Sequence, residues 1–213
     1  MKAKVLTFLL KNKALITMNI LGFYLFAKMA EDVIEKEYIL LIDRWIDRYF
    51  NAMQTPLLSK FMVALTNFNG AMGIFIFSFF MIVFLIYKRW YNDLVFYIFS
   101  VFGANIAFVV IKMIVQRARP SSDILSITTH SFPSGHATMA TAMSLAVYLI
   151  LTQRVYSIGL RLLILISCIV WPVIISFSRI YLEVHWLSDV IAGMGLGLFW
   201  VTLVALIHRF KGI

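Results

Sequence analysis

Six apolar runs, each free of Asp, Glu, Lys and Arg, constrain this chain most: residues 14–27, 70–87, 94–111, 137–153, 162–178 and 190–207. The last five are 17 or 18 residues long. As helices rising ~1.5 Å per residue, each covers roughly 27 Å, close to the hydrocarbon thickness of a bilayer. The first run is shorter, but Lys13 and Lys28 flank it and can snorkel to the interface. Lipid offers backbone N–H and C=O groups no partner, so such runs span as helices. Only 14% of the 213 residues are charged, against about a quarter in a soluble domain. The expectation is an all-α integral membrane protein, a six-transmembrane-helix bundle forming a single domain over residues 1–213. The basic N-terminus ahead of the first run could open a signal peptide. Lys28 stands where small residues would prepare a cleavage site, so the run reads as a retained span. Cys168 is the only cysteine, which excludes an intrachain disulfide and a thiolate metal cluster.

The net charge of +9 invites a nucleic-acid reading, but its distribution argues otherwise. With six spans, both termini share a face carrying Lys2, Lys4, Lys11, Lys13, Lys88, Arg89, Arg154, Arg161, Arg209 and Lys211, opposed only by Asp93. The other face and its helix ends balance nine basic against nine acidic residues. The positive-inside rule then puts both termini in the cytoplasm. The excess charge is a topology signal, and no nucleic-acid partner is expected. Residues 31–60 form the longest connection, on the outer face. Ile34, Tyr38, Leu41, Trp45 and Tyr49 recur there at helical spacing between charged residues, which predicts an amphipathic outer-face helix between the first two spans, lying on the membrane or packed as a lid. Pro172 is expected to kink the fifth span, and Gly193 and Gly197 to allow close helix packing in the sixth.

Three polar stretches fall at the outer ends of these spans. Lys112 and Arg119-Pro120 close the third, Pro133-Ser134-Gly135-His136 opens the fourth, and Ser178-Arg179 with His185 and Asp189 joins the fifth to the sixth. Charge at such positions in a membrane protein calls for a reason. A helix start near Ala137 presents free N–H groups suited to phosphate, with Ser134 adding a hydroxyl; a plain helix cap is the alternative. His185 and Asp189, four apart, share a helix face, so the carboxylate can fix the tautomer and leave the other ring nitrogen free to attack. A surface ion pair is the alternative. Lys112, Arg119 and Arg179 can clamp phosphate oxygens. Lys112 and Arg119 lie two turns apart and face the same way if the helix continues, whereas Arg117 points elsewhere and reads as an interfacial anchor. His130 and Trp186 are candidate substrate contacts at the entrance, with polar-loop and interfacial-aromatic roles as their alternatives.

Taken together, Lys-x6-Arg-Pro, Pro-Ser-Gly-His and Ser-Arg-x5-His-x3-Asp, in that order, closely resemble the type 2 phosphatidic acid phosphatase family, the membrane lipid phosphatases related to vanadium haloperoxidases. The motifs cover residues 112–189, and the six spans extend the resemblance over most of the chain. It implies a two-step phosphoryl transfer without cofactor or metal. His185, oriented by Asp189, is the nucleophile, and His136 the acid and base. Lys112, Arg119, Ser134, Gly135 and Arg179 bind phosphate. Glu183 stands where a small residue, often glycine, is expected, and is a further candidate substrate contact. The implied partner is a lipid phosphate in a bacterial inner membrane: undecaprenyl diphosphate, phosphatidylglycerol phosphate or phosphatidic acid. Lipid A dephosphorylation or phosphate transfer to another lipid is the related alternative. An anion transporter would use the cations but leave the two histidines unexplained.

Overall fold

The computed structural model describes residues 2–122, 124, 125 and 127–211, the side chains of 2–5 and 211 excepted. Nine α-helices and no strand occur among them: α1 (Lys2–Lys11), α2 (Lys13–Ile34), α3 (Ile39–Met53), α4 (Pro56–Phe68), α5 (Ala71–Tyr87), α6 (Tyr91–Val115), α7 (Gly135–Leu151), α8 (Ile158–Tyr181) and α9 (Leu187–Lys211). The six apolar runs lie in α2, α5, α6, α7, α8 and α9. By length and composition α2, α6, α8 and α9 can each cross a membrane. α4 and α5, bent 43° apart, make a fifth if taken together, and α7 is an apolar helix of 17 residues.

α7 is the axis of the bundle, packed on by α6, α8 and α9. Ten of its residues are buried, from Ala137 to Ile150, among Leu85, Tyr97, Ala104 and Val201 of α5, α6 and α9. The outward faces of α5, α6 and α8 show Phe75, Phe80, Phe99, Ile114, Leu163 and Ile166. An apolar exterior of this extent is suited to lipid rather than water. Small residues set how closely α9 approaches its neighbours. A Cβ on Gly193 would lie 2.6 Å from the Ser134 carbonyl oxygen, and one on Gly197 2.6 Å from that of Thr138. Gly22 and Gly195 bring α2 and α9 together in the same way. α8 runs through Pro172 as one helix from Ile158 to Tyr181.

The two ends of the bundle are distinct. At one, Arg209 donates to Asn12 at 2.8 Å and Phe210 meets Phe8 edge-on, so the terminal helices adjoin. Arg154 pairs with Asp93 and lies over Trp90 at the same level. The opposite end gathers the end of α6, the start of α7, the end of α8 and the start of α9. Residues 31–60 do not make one helix there. They comprise the end of α2, all of α3 and the start of α4. α3 turns Leu41, Trp45 and Tyr49 outward and buries Asp43, the reverse of an amphipathic helix on a soluble protein.

Candidate active site

Each stretch reaches this end by a different local device. α6 stops at Val115 because Gln116 adopts a left-handed conformation (φ 51°), its N–H bonding to the Lys112 carbonyl. The helix therefore does not carry Lys112 and Arg119 on one face. Arg119 arrives instead on the loop, pinned where the Ser131 N–H donates to the Arg117 carbonyl at 2.8 Å and the Ser131 hydroxyl to that of Ala118 at 3.0 Å. Ser134 caps α7, its Oγ accepting from the Ala137 N–H at 3.5 Å, after a cis Phe132–Pro133 bond. The Ser134 N–H donates to the Asp189 carbonyl oxygen at 3.0 Å, tying the start of α7 to the start of α9. Gly135 faces Phe108, where a Cβ would come within 2.8 Å of the ring.

The two histidines, three cations and one carboxylate converge. His185 is buried, and its Nδ1 lies 3.4 Å from Oδ2 of Asp189, which also accepts the Trp186 N–H at 3.0 Å. Its Nε2 faces Nη1 of Arg119 at 3.1 Å. With Nδ1 carrying its proton toward Asp189, Nε2 presents a lone pair to the arginine. Burial, and then Arg179, Arg119 and Lys112, hold this imidazole well below its ordinary value, so at neutral pH it is uncharged. His136, in the first turn of α7, lies within electrostatic reach of His185 and all three cations.

Arg119 is held by the Thr129 carbonyl at 2.6 Å, the Thr129 hydroxyl and the His130 carbonyl at 3.0 Å each, and the Val184 carbonyl. Arg179 is 3% exposed; its Nη1 donates to Thr66 of α4 at 2.7 Å, and its Nε has no partner among the described residues. No ion pair to Lys112, Arg119 or Arg179 occurs among the described residues. Three clustered cations with no carboxylate in direct contact among the described residues, one with an unpaired buried N–H, make a site that favours an anion. No group of three or more His, Cys, Asp or Glu among the described residues is arranged to hold a metal.

The candidate contacts differ from one another. His130 is exposed and engages Arg119 through its backbone. Trp186 donates to the Ala118 carbonyl at 2.9 Å beneath the Arg117 guanidinium. Glu183 is buried at φ 51°, in the left-handed region that glycine adopts without strain. Its Oε2 accepts from Asn51 at 3.2 Å and Gln54 at 2.9 Å, and it borders a cavity of about 180 Å³ shared with Arg119, Ser122 and Ile127.

Several supporting residues had no signal in the sequence. Thr66 holds Arg179. Asn69, which accepts from Trp171, donates to the His136 carbonyl at 3.2 Å. Arg117 is not an interfacial anchor: Nη1 reaches Asp189 at 2.6 Å and Nη2 reaches Asp43 at 2.7 Å. Its partner lies 74 residues away on an element whose docking the local pattern does not encode.

The PAP2 superfamily model matches residues 93–213, more than half of the chain. Phosphatidylglycerophosphatase B of Bacillus subtilis is 27% identical over 82% of this chain and 81% of its own length. An undecaprenyl-diphosphatase of Sulfolobus acidocaldarius is 33% identical over 37% of this chain and 33% of its own length. In overall shape the chain is similar to the crystal structure of a transmembrane PAP2-type phosphatidylglycerolphosphate phosphatase from Bacillus subtilis. The TM-score is 0.81 at 22% identity, over 91% of this chain and 96% of that one. Aquifex aeolicus LpxE gives a TM-score of 0.59 at 19% identity, over 75% of this chain and 92% of that one. The chain belongs to the PAP2 superfamily.

Proposed function

We propose that this member of the PAP2 superfamily is a membrane-embedded lipid phosphate phosphatase that works through a phosphohistidine. The observation that carries the reading is the pairing of a neutral buried His185, backed by Asp189, with three cations that form no ion pair among the described residues. Nε2 of His185 attacks phosphorus while the bond to the lipid oxygen breaks. His136 gives its proton to that oxygen. Water then attacks the phosphohistidine, His136 takes the proton back, and inorganic phosphate leaves. Lys112, Arg119, Arg179, Ser134 and the Gly135 N–H hold the equatorial oxygens. Phosphoryl transfer depends mainly on such positioning and charge. Arg119, which faces Nε2 in the free site, moves with the incoming phosphate. The dianion supplies the negative charge that makes a protonated His136 compatible with its cationic neighbours.

The six apolar helices would all span, α7 being a short one wrapped by its neighbours, with both termini in the cytoplasm and the site on the outer face. α3 would lie at that interface with Leu41, Trp45 and Tyr49 toward lipid. The substrate keeps an acyl or prenyl tail in the bilayer and presents phosphate to the cations. Phosphatidylglycerol phosphate leads on the strength of the Bacillus relative that spans most of the chain, with undecaprenyl diphosphate and phosphatidic acid next. The three cations perform the charge neutralisation that a metal supplies in other phosphoryl-transfer enzymes, so activity persists in EDTA. A strict magnesium requirement would contradict the mechanism. Trapping of a phosphoenzyme tests the nucleophile: His185→Ala abolishes both trapping and turnover, and surviving turnover removes His185 from that role.

A further inference from the structure

The carboxylate behind the nucleophile is not alone. Oδ1 of Asp189 accepts from Nη1 of Arg117 at 2.6 Å, on the side away from His185. A guanidinium there draws negative charge away from the imidazole. Its other arm, Nη2, is held at 2.7 Å by Oδ2 of Asp43. Asp43 also accepts from the Ser188 N–H at 3.0 Å and the Ser188 hydroxyl at 2.5 Å, and the Ser188 Oγ accepts from Nη1 of Arg117 at 2.7 Å. Asp43 and Asp189 are 1% and 0% exposed, so these charges are weakly screened. The result is an acid–cation–acid–imidazole series running from α3 through the loop to α9.

We propose that Asp43 and Arg117 are positioning residues for the nucleophile: Arg117 fixes the Asp189 carboxylate, and Asp43 balances Arg117 so that Asp189 keeps its charge for His185. The groups facing His185 set the sign. Burial, then Arg179 of α8, Arg119 of the loop and Lys112 of α6 oppose its protonation, and a hydrogen bond to the Ser131 backbone favours it. Asp189 of α9, 3.4 Å from Nδ1, is the carboxylate in contact with the ring, and His136 of α7 is the remaining titratable neighbour. Glu183, on its own loop, is turned to Asn51 of α3 and to Gln54, which caps that helix. Asp43 is thus the carboxylate through which α3 acts on the nucleophile. Without it, Arg117 neutralises Asp189 fully and His185 becomes less basic. Without Arg117, two uncompensated carboxylates make His185 more basic.

This role rests on His185 being the nucleophile, but its test does not require turnover. Ring-labelled histidine NMR on detergent-purified protein, with the His185 signal assigned by His185→Gln, follows the titration directly. Asp43→Asn, which keeps shape and oxygen, moves the His185 titration to lower pH; Arg117→Met moves it to higher pH; Arg117→Lys restores it toward the parent. Asp47→Asn, the same substitution one turn along α3, leaves it in place. In phosphate release, Asp43→Asn lowers kcat on the order of tenfold to a hundredfold with KM nearly unchanged, because the phosphate clamp is intact. The proposal is overturned if Asp43→Asn leaves the titration unmoved, if Asp47→Asn moves it equally, or if lost kcat only tracks lost folded protein. NMR shifts as described in a parent protein that releases no lipid phosphate would refute the phosphatase reading and leave the Asp43–Arg117 role standing.

Discussion

Individual side chains set the protonation that the chemistry needs. Burial and three nearby cations keep His185 uncharged below its ordinary value of 6.5. The acid limb of kcat/KM that belongs to the enzyme should therefore lie below ~6.5, overlapping the second ionisation of the phosphate near 6. The same shift acts on stability. The unfolded chain binds the proton at His185 more readily than the native one, so the contribution is present above ~6.5 and is lost as pH falls through it. Thermal unfolding in detergent from pH 7.5 to 5.5 should show that decline, and His185→Gln should flatten it. Glu183 poses a different balance. A left-handed non-glycine residue costs roughly 1–2 kcal/mol, whereas each of its two hydrogen bonds from Asn51 and Gln54 to a carboxylate contributes about 1.5–3 kcal/mol. The bonds win, so Glu183→Gly lowers the melting temperature despite relieving the backbone; a rise would show the strain to be the larger effect. At this scale the sequence named the converging residues but not their holders. His136, His185 and Arg179 stand in recognisable spacing, while Thr66, Asn69 and Asp43 reach the site only through tertiary packing.

Helices bring those side chains together by close approach rather than by length. Gly193 lets α9 lie against the Ser134 carbonyl, and that contact sets how far His185 and Asp189 stand from His136. Gly193→Ala places a methyl 2.6 Å from that oxygen and must push the helices apart. Activity should fall on the order of a hundredfold, the scale of a 1 Å misplacement, with the protein still folded by circular dichroism. Unchanged activity would mean that the spacing is not set here. The small-residue spacing of Gly193 and Gly197 was readable as a packing signal. The end of α6 was not: nothing in Val115-Gln116-Arg117 announces a stop, and the left-handed Gln116 is what sends Arg119 round by the loop. Heptad-like spacing of Lys112 and Arg119 pointed to one face for a reason that does not hold. The stripe in residues 31–60 was legible as a pattern, but the break between α3 and α4 and the inward turn of Asp43 depend on what α3 docks against.

In the whole molecule the apolar runs gather the polar stretches at one end, opposite the paired terminal helices. Alternation along the chain made that grouping foreseeable from the runs alone. With all six runs spanning, the sequence puts an excess of Lys and Arg beside the termini and a balanced set around the site, the asymmetry on which the proposed orientation rests. The central claim joins this architecture to one reaction: phosphate removed from a lipid by a histidine and three cations. Its most direct test is inorganic phosphate release by the purified full chain in detergent, across phosphatidylglycerol phosphate, phosphatidic acid and undecaprenyl diphosphate, with EDTA present and His185→Ala alongside. Sustained turnover on at least one substrate, unaffected by EDTA and absent in His185→Ala, is the predicted result. No release from any of them, or release that needs added magnesium or survives His185→Ala, would contradict it.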